Sequence, residues 1–193
     1  MKLVSVVITT TGRVSLARAI ASVQNQSIEV HEIIVVSNNL IEIKGITFIH
    51  NAVSGNVCSS RNLGLAYVKT PYVAFLDDDD YWLPTKNEKQ LHLIPKKSDT
   101  FIISCKTKVL SNYGNFIAPR TMLSEHDDIR EYLFGSKKLY PGDRFLQTSS
   151  ILLPTKFAKK ITWDQNMPRH NDWDFFIRAA DLGAIFLMAL KVW

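Results

Sequence analysis

Four consecutive carboxylates, Asp77 to Asp80, follow the apolar run Tyr72–Leu76 and precede Tyr81 and Trp82. Carboxylates this close repel one another unless something positive sits among them. In extended backbone Asp77 and Asp79 point one way while Asp78 and Asp80 point the other. One such pair could grip a hard divalent cation, Mn²⁺ or Mg²⁺, that also bridges phosphate oxygens. The structural alternative is an acidic turn that caps a helix after Pro84. A further acid, Asp172, stands just before Trp173, where a helical pattern begins. It can serve as a general base for a hydroxyl nucleophile or as a routine helix N-cap. No Ser-His or Cys-His set for covalent catalysis is apparent in the chain.

These side chains need a scaffold, and the chain supplies an alternation of strands and helices. Val4–Thr9, Glu32–Val36, Ile46–His50 and Tyr72–Leu76 read as buried strands. Between them Ser15–Gln24 and Cys58–Val68 carry helical apolar spacing. This order predicts parallel strands joined by right-handed crossovers, with helices covering both faces of the sheet. Ligands of such sheets bind outside the carboxyl ends of the strands. All four ends are polar: Thr9-Thr10-Thr11, Ser37-Asn38-Asn39, His50-Asn51 and Asp77–Asp80. Downstream, Thr100–Val109 and Phe145–Leu153 read as strands and Asp172–Leu182 as a helix. On that helix Trp173, Phe176, Ile177 and Ala180 form the expected core stripe, and Asp174 and Arg178 an i, i+4 pair.

The order of these features resembles the family 2 glycosyltransferases. It begins with the Thr-rich turn and Arg13, followed by Glu32–Val36 and then Gly55-Asn56-Val57-Cys58-Ser59-Ser60-Arg61-Asn62-Leu63-Gly64. The segments Phe75–Trp82, Arg144–Ser150 and Pro168–Arg178 complete the series. The resemblance implies a GT-A fold, a three-layer α/β/α sandwich with a Rossmann-like, mostly parallel central sheet. It implies a nucleotide-sugar site built from Thr9, Thr11, Arg13, Asn38, Arg61, Asp77 and Asp78. Asp77-Asp78-Asp79 matches the family's Asp-X-Asp signature, which makes Asp79 the foremost metal ligand. Asp77 is a second ligand or, like Asp78, lies nearer the ribose or the metal's waters. Asp172 becomes the base that deprotonates the acceptor hydroxyl in an inverting transfer. Asn38 stands where many relatives carry Asp, and Thr11 where an aromatic often stacks on the base. Uridine is therefore expected to be preferred only modestly. His170 is either a polar active-site group or a surface residue.

The 193 residues are expected to form one domain, with 1–100 the nucleotide-sugar-binding half and 101–193 the acceptor-side half. Relatives generally continue past the apolar end Ala184–Trp193, so the acceptor half is expected to be shortened. The composition, 46% hydrophobic and 21% charged, is that of a globular protein. No apolar run approaches the ~20 residues needed to cross a bilayer. Val4–Ile8 reads as a first strand and not as a signal peptide. Cys58 and Cys105 lie in no ligand spacing and are expected as free thiols in a cytoplasmic protein. The net charge of +5 includes the pairs Lys96-Lys97, Lys137-Lys138 and Lys159-Lys160. They read as solvated surface, or as attraction to anionic lipid or a lipid-diphosphate acceptor at the inner membrane face. No nucleic-acid motif accompanies them. By the same resemblance, the expected substrates are a nucleotide sugar, a UDP-sugar, and a saccharide or lipid-linked acceptor in surface polysaccharide or lipopolysaccharide synthesis. A shortened nucleotide-sugar-binding protein without activity is the alternative. A sugar nucleotidyltransferase would want a richer phosphate loop than Thr10-Thr11-Gly12-Arg13.

Overall fold

The computed structural model describes residues 2–41, 43–52, 56–112, 114–135, 142–167 and 169–190. Apolar runs without a polar face must be covered on both sides, and they build the centre of a seven-stranded sheet. Its strands are β1 Val4–Thr10, β2 Glu32–Ser37, β3 Thr47–His50, β4 Tyr72–Asp77, β5 Phe101–Cys105, β8 Leu152–Pro154 and β9 Ile185–Ala189. They lie in the order β3-β2-β1-β4-β8-β5-β9. The pairs β1–β2, β1–β4, β2–β3 and β5–β9 are parallel, and β8 runs antiparallel between β4 and β5.

Alternation along β1 divides the core in two. Val6 and Ile8 face α1 (Leu16–Gln24), which buries Leu16, Ala19, Ile20 and Val23. Val7 faces the other way, into the layer of α2 (Val57–Tyr67), α5 (Thr155–Ile161) and α6 (Asn171–Asp181). There Trp163 stacks on Phe175 with ring centres 4.0 Å apart and meets Phe75 edge-on at 4.4 Å. Helix α3 (Lys86–Leu91) follows Pro84, and α4 (Ile129–Phe134) packs beside α6. Both cysteines are buried and free.

Three local expectations are corrected. The segment 100–109 is not one strand: β5 is buried throughout, and polarity begins at Lys106. Beyond it β6 (Thr107–Val109) leaves the sheet and pairs antiparallel with β7 (Phe116–Ala118). Within 145–153, the stretch Thr148–Ser150 is a 3-10 turn in which the Ser150 hydroxyl donates to Gln147 O at 2.7 Å. Such local bonds compete with ladder pairing, so just Leu152–Pro154 joins the sheet. Finally, α6 buries Phe175, Phe176 and Ala179, while Trp173, Ile177 and Ala180 are half-buried. The buried face is turned by about one residue because Phe175 stacks on Trp163, whereas Trp173 engages His170 and Phe134.

Candidate active site

The direction of chain progression reverses at β1: β2 and β3 extend to one side and β4 to the other. A crevice forms at such a switch point, outside the carboxyl ends of the strands. Here it is a pocket of about 350 Å³ lined by Thr9–Thr11, Arg13, Asn38, Asn56, Val57, Ser60, Arg61 and Asp77–Asp79. All eight residues predicted for nucleotide or metal, Thr9, Thr11, Arg13, Asn38, Arg61, Asp77, Asp78 and Asp79, meet in this one wall.

Register explains the pairing. Thr9 lies opposite Asp77 on the parallel neighbour, and its hydroxyl donates to Asp77 Oδ1 at 3.4 Å. One residue on, Thr10 Oγ1 donates to Asp78 Oδ2 at 2.5 Å and accepts from Gly12 N at 2.9 Å. Gly12 has φ +88°, a conformation that L side chains rarely adopt, and it turns the chain towards Arg13. The Arg13 guanidinium then reaches Asp79 Oδ2 at 2.7 Å and Asp78 Oδ1 at 3.4 Å.

The four carboxylates do not alternate as extended backbone requires. β4 ends at Asp77, and the next residues turn, with Asp80 N donating to Asp77 O at 3.1 Å. Each acid therefore has its own surroundings. Asp77 receives Arg61 Nη2 on both oxygens, at 2.8 and 3.1 Å. Asp78 is buried, whereas the Asp79 side chain is 61% exposed. Burial pushes the Asp80 carboxyl above the usual range and the charges of Asp77 and Asp79 add to this, against Ser149 and Arg18, which lower it. The positive charge that the cluster requires is supplied within the chain by Arg13, Arg18 and Arg61. Among the described residues no three His, Cys, Asp or Glu side chains converge as a ready metal cage.

Arg61 also connects the pocket to α6. It is almost wholly buried, and its Nη1 donates to Asn171 Oδ1 at 2.8 Å. Asp172, the next residue, is not in the pocket lining. Its Oδ2 accepts from Thr148 N at 3.3 Å and from Thr148 Oγ1 at 3.2 Å. The capping alternative for Asp172 is corrected, because the N-cap is His170, in the left-handed region with φ 56°. His170 stacks on Trp173 at 4.7 Å between ring centres. Asn39 Nδ2 donates to Thr11 O at 2.7 Å, and His50 Nε2 lies 3.1 Å from Asn38 O, which join the loops after β1, β2 and β3.

Thr10, Asn56, Val57, Ser60 and Asn171 lie within the quoted strand ends and motifs, but the sequence alone assigns them no role of their own. Val57, Ser60 and Arg61 share one helix face by i, i+3, i+4 spacing, a signal that could have found them. Asn56 could have been found as the N-cap, since its side chain accepts from Ser59 N at 3.1 Å. Asn171 carried no such signal. Gly55 and Pro168, quoted within the motifs, lie outside the described residues, as do Lys137, Lys138 and Lys191–Trp193.

Known proteins share this architecture. Staphylococcus aureus TarS superposes with a TM-score of 0.74 at 16% identity, over 100% of this chain and 36% of TarS. Its complex with UDP matches at 0.71 and 15%, over 99% of this chain and 61% of that one. The amylovoran biosynthesis glycosyltransferase AmsB of Erwinia amylovora is 36% identical over 139 residues, 69% of this chain and 44% of AmsB. The Escherichia coli enzyme WfaP, a UDP-Glc:alpha-D-GlcNAc-diphosphoundecaprenol beta-1,3-glucosyltransferase, is 33% identical over 78 residues. That match covers 40% of this chain and 27% of WfaP, and the chain spans less than half the length of either relative. The sheet has the GT-A arrangement, and the family model for glycosyl transferase family 2 matches residues 5–162: the chain belongs to glycosyl transferase family 2.

Proposed function

We propose that this chain carries the catalytic core of an inverting glycosyltransferase that moves a sugar from a UDP-sugar to a saccharide or lipid-linked acceptor in surface polysaccharide or lipopolysaccharide synthesis. The observation that carries this reading is the switch-point pocket, with hydroxyls, amides and two arginines on its wall and the exposed Asp79 at its edge. Support for UDP comes from the TarS complex, and for a lipid-linked acceptor from the reaction in WfaP's name. Residues 1–100 furnish the nucleotide side and 101–193 the acceptor side.

Thr9, Thr11, Arg13 and Asn38 bind the nucleoside diphosphate, together with Arg61, Asp77 and Asp78. Asn38 can donate and accept at the nucleobase, and it carries no charge. The donor set fits Mn²⁺ or Mg²⁺, since such ions are commonly held by one or two carboxylates and completed by substrate phosphates. Asp79, exposed and paired with Arg13 through one oxygen, Oδ2, serves first with the other. Both oxygens of Asp77 already accept from Arg61, which makes Asp77 the secondary ligand. When bound, the cation neutralises charge that develops on the leaving diphosphate. Asp172 takes the proton of the attacking hydroxyl, and Thr148 orients it by bonding one oxygen and leaving the other for the acceptor. Attack opposite the leaving group inverts the anomeric centre with no covalent intermediate.

No helix among the described residues is long and apolar enough to cross a membrane. The exposed pairs Lys96-Lys97 and Lys159-Lys160, with the net charge of +5, support a cytoplasmic protein held peripherally at the inner face. Calorimetric titration of UDP with and without Mn²⁺, on wild type and Asp79→Ala, tests the central reading. Metal should tighten UDP binding to wild type and lose that effect in the variant. Equal binding in all four conditions would remove the metal role, and no UDP binding would remove the function.

A further inference from the structure

A second, larger pocket of about 730 Å³ lies on the far side of Asp79, which belongs to both linings. It opens between Asp79–Leu83, the β5–β6 junction, Phe116 on β7 and the segment before β8. Its walls bring four cations, Arg18, Lys86, Lys106 and Lys108, against two carboxylates, Asp79 and Asp80. Asp79 is already paired with Arg13, and Arg18 lies over the Tyr81 ring and donates to Asp79 O. Among the described residues the three lysines form no ion pair with an acid.

Lys86 is the most unusual of them. It is 1% exposed, its Nζ donates to Gln90 Oε1 at 2.8 Å, and it sits 3.8 Å from the Trp82 ring centre. Among the described residues it forms no ion pair with any carboxylate. Burying an ammonium without an anion is costly, and proteins rarely accept it without return. Burial lowers its pKa to about 8, which leaves it mainly protonated at pH 7. A cation held at this cost on the wall of a cavity is matched to an anion that arrives with the ligand. The cavity adjoins the pocket assigned to the diphosphate, so the ligand part that reaches it is a sugar. Trp82, Phe116 and Phe145 supply apolar faces for its C–H surface, and Gln147 and Ser149 supply polar groups for its hydroxyls. One buried ammonium balances one negative charge, which a carboxylate carries and a phosphate monoester exceeds.

We propose that this pocket selects a sugar bearing a carboxylate, a uronic acid, with the carboxylate placed against Lys86 Nζ. The inference rests on the glycosyltransferase reading and deepens it by naming the substrate class. The uronic acid is either the sugar transferred or the sugar that accepts, and two arms of one experiment separate these sources.

The experiment is calorimetric titration of the full chain with Mn²⁺ present. One arm compares UDP-glucose with UDP-glucuronate. The other, at saturating UDP, compares methyl glucoside with methyl glucuronoside. UDP alone serves as the control for the underlying reading. In one arm the uronate is expected to bind at least ~10-fold tighter than its neutral counterpart, the scale of one charge-assisted hydrogen bond. The same advantage should vanish in Lys86→Met, with UDP affinity unchanged. Methionine fills the volume without the charge, so the variant is expected to fold. Should it not, the wild-type comparison decides. UDP binding with equal or weaker binding of the uronate in both arms overturns the proposal and leaves the glycosyltransferase reading standing. A uronate advantage that survives in folded Lys86→Met also overturns it. Absence of UDP binding defeats the underlying reading and the proposal with it.

Discussion

Replacing Arg61 by Met removes a side chain that joins the carboxylate end of β4 to the start of α6. In the native protein its guanidinium places Nη2 on both oxygens of Asp77 and Nη1 on Asn171 Oδ1, with about 5% of the side chain exposed. Removing one partner of a buried pair typically costs about 3–5 kcal/mol, because the other is left uncompensated. Asp77, however, is 33% exposed, so water relieves part of that cost. Roughly 2–3 kcal/mol is expected, or a fall in Tm of roughly 5–10 °C for a chain of this size. UDP affinity should fall as well, since Arg61 lines the pocket proposed for the nucleotide. Lysine at the same position is a point charge that can pair with Asp77 but cannot span to Asn171. Arg61→Lys should thus recover part of the stability and leave α6 untethered. Differential scanning calorimetry and UDP titration on both variants measure these effects. A Met variant that melts within 1 °C of wild type (roughly the error of such a scan, against the shift expected) and binds UDP equally would refute the assignment.

Gly64→Ala would place a Cβ 2.5 Å from Val7 Cγ1 and 3.0 Å from Val36 Cγ2, in the core between α2 and the sheet; a loss of about 1–3 kcal/mol is expected in chemical denaturation. Asp172→Asn can still accept from Thr148, so melting and UDP affinity should hardly change, whereas release of UDP from a nucleotide sugar should slow by ~10²–10⁴-fold. Near-normal turnover would pass the base role to another acid, Asp174 first. For Lys86 the folded pKa, about 8, lies below the 10.5 of an ordinary lysine, so the unfolded chain binds more protons between those values. Its charge therefore destabilises the fold at neutral pH, and stability recovers as pH rises from about 8 to 10.5. Lys86→Met should melt higher than wild type at pH 7, with the gap closing towards pH 10, as parallel melts would show.

The strand ends were legible in the sequence because each depends on a local pattern. Apolar runs that stop at Thr9, Ser37 and Asp77 put polar side chains at the rim of a parallel sheet whatever the details of packing, and the nominated residues of the pocket followed. Tertiary structure decided how charge is shared among them. Arg61 lies 16 residues before Asp77, and Arg13 lies 66 before Asp79, so no local pattern could pair them. Those contacts, with the turn after Asp77, separate a buried Asp78 from an exposed Asp79 where alternation along an extended strand suggested equivalent pairs. The buried face of α6 was misjudged for a related reason. Periodicity marks which residues can share a face, but Trp163, which lies outside the helix in the connection from α5, selected the face of Phe175 over that of Trp173. Asp172 shows both sides of the matter: its place at the start of a helix is written locally, and its bond to Thr148 exists because the 3-10 turn before β8 is carried beside α6 by the antiparallel strand. Local chain chemistry can place a functional group at an edge of the fold, while the partners that set its charge and orientation come from segments that meet through the sheet.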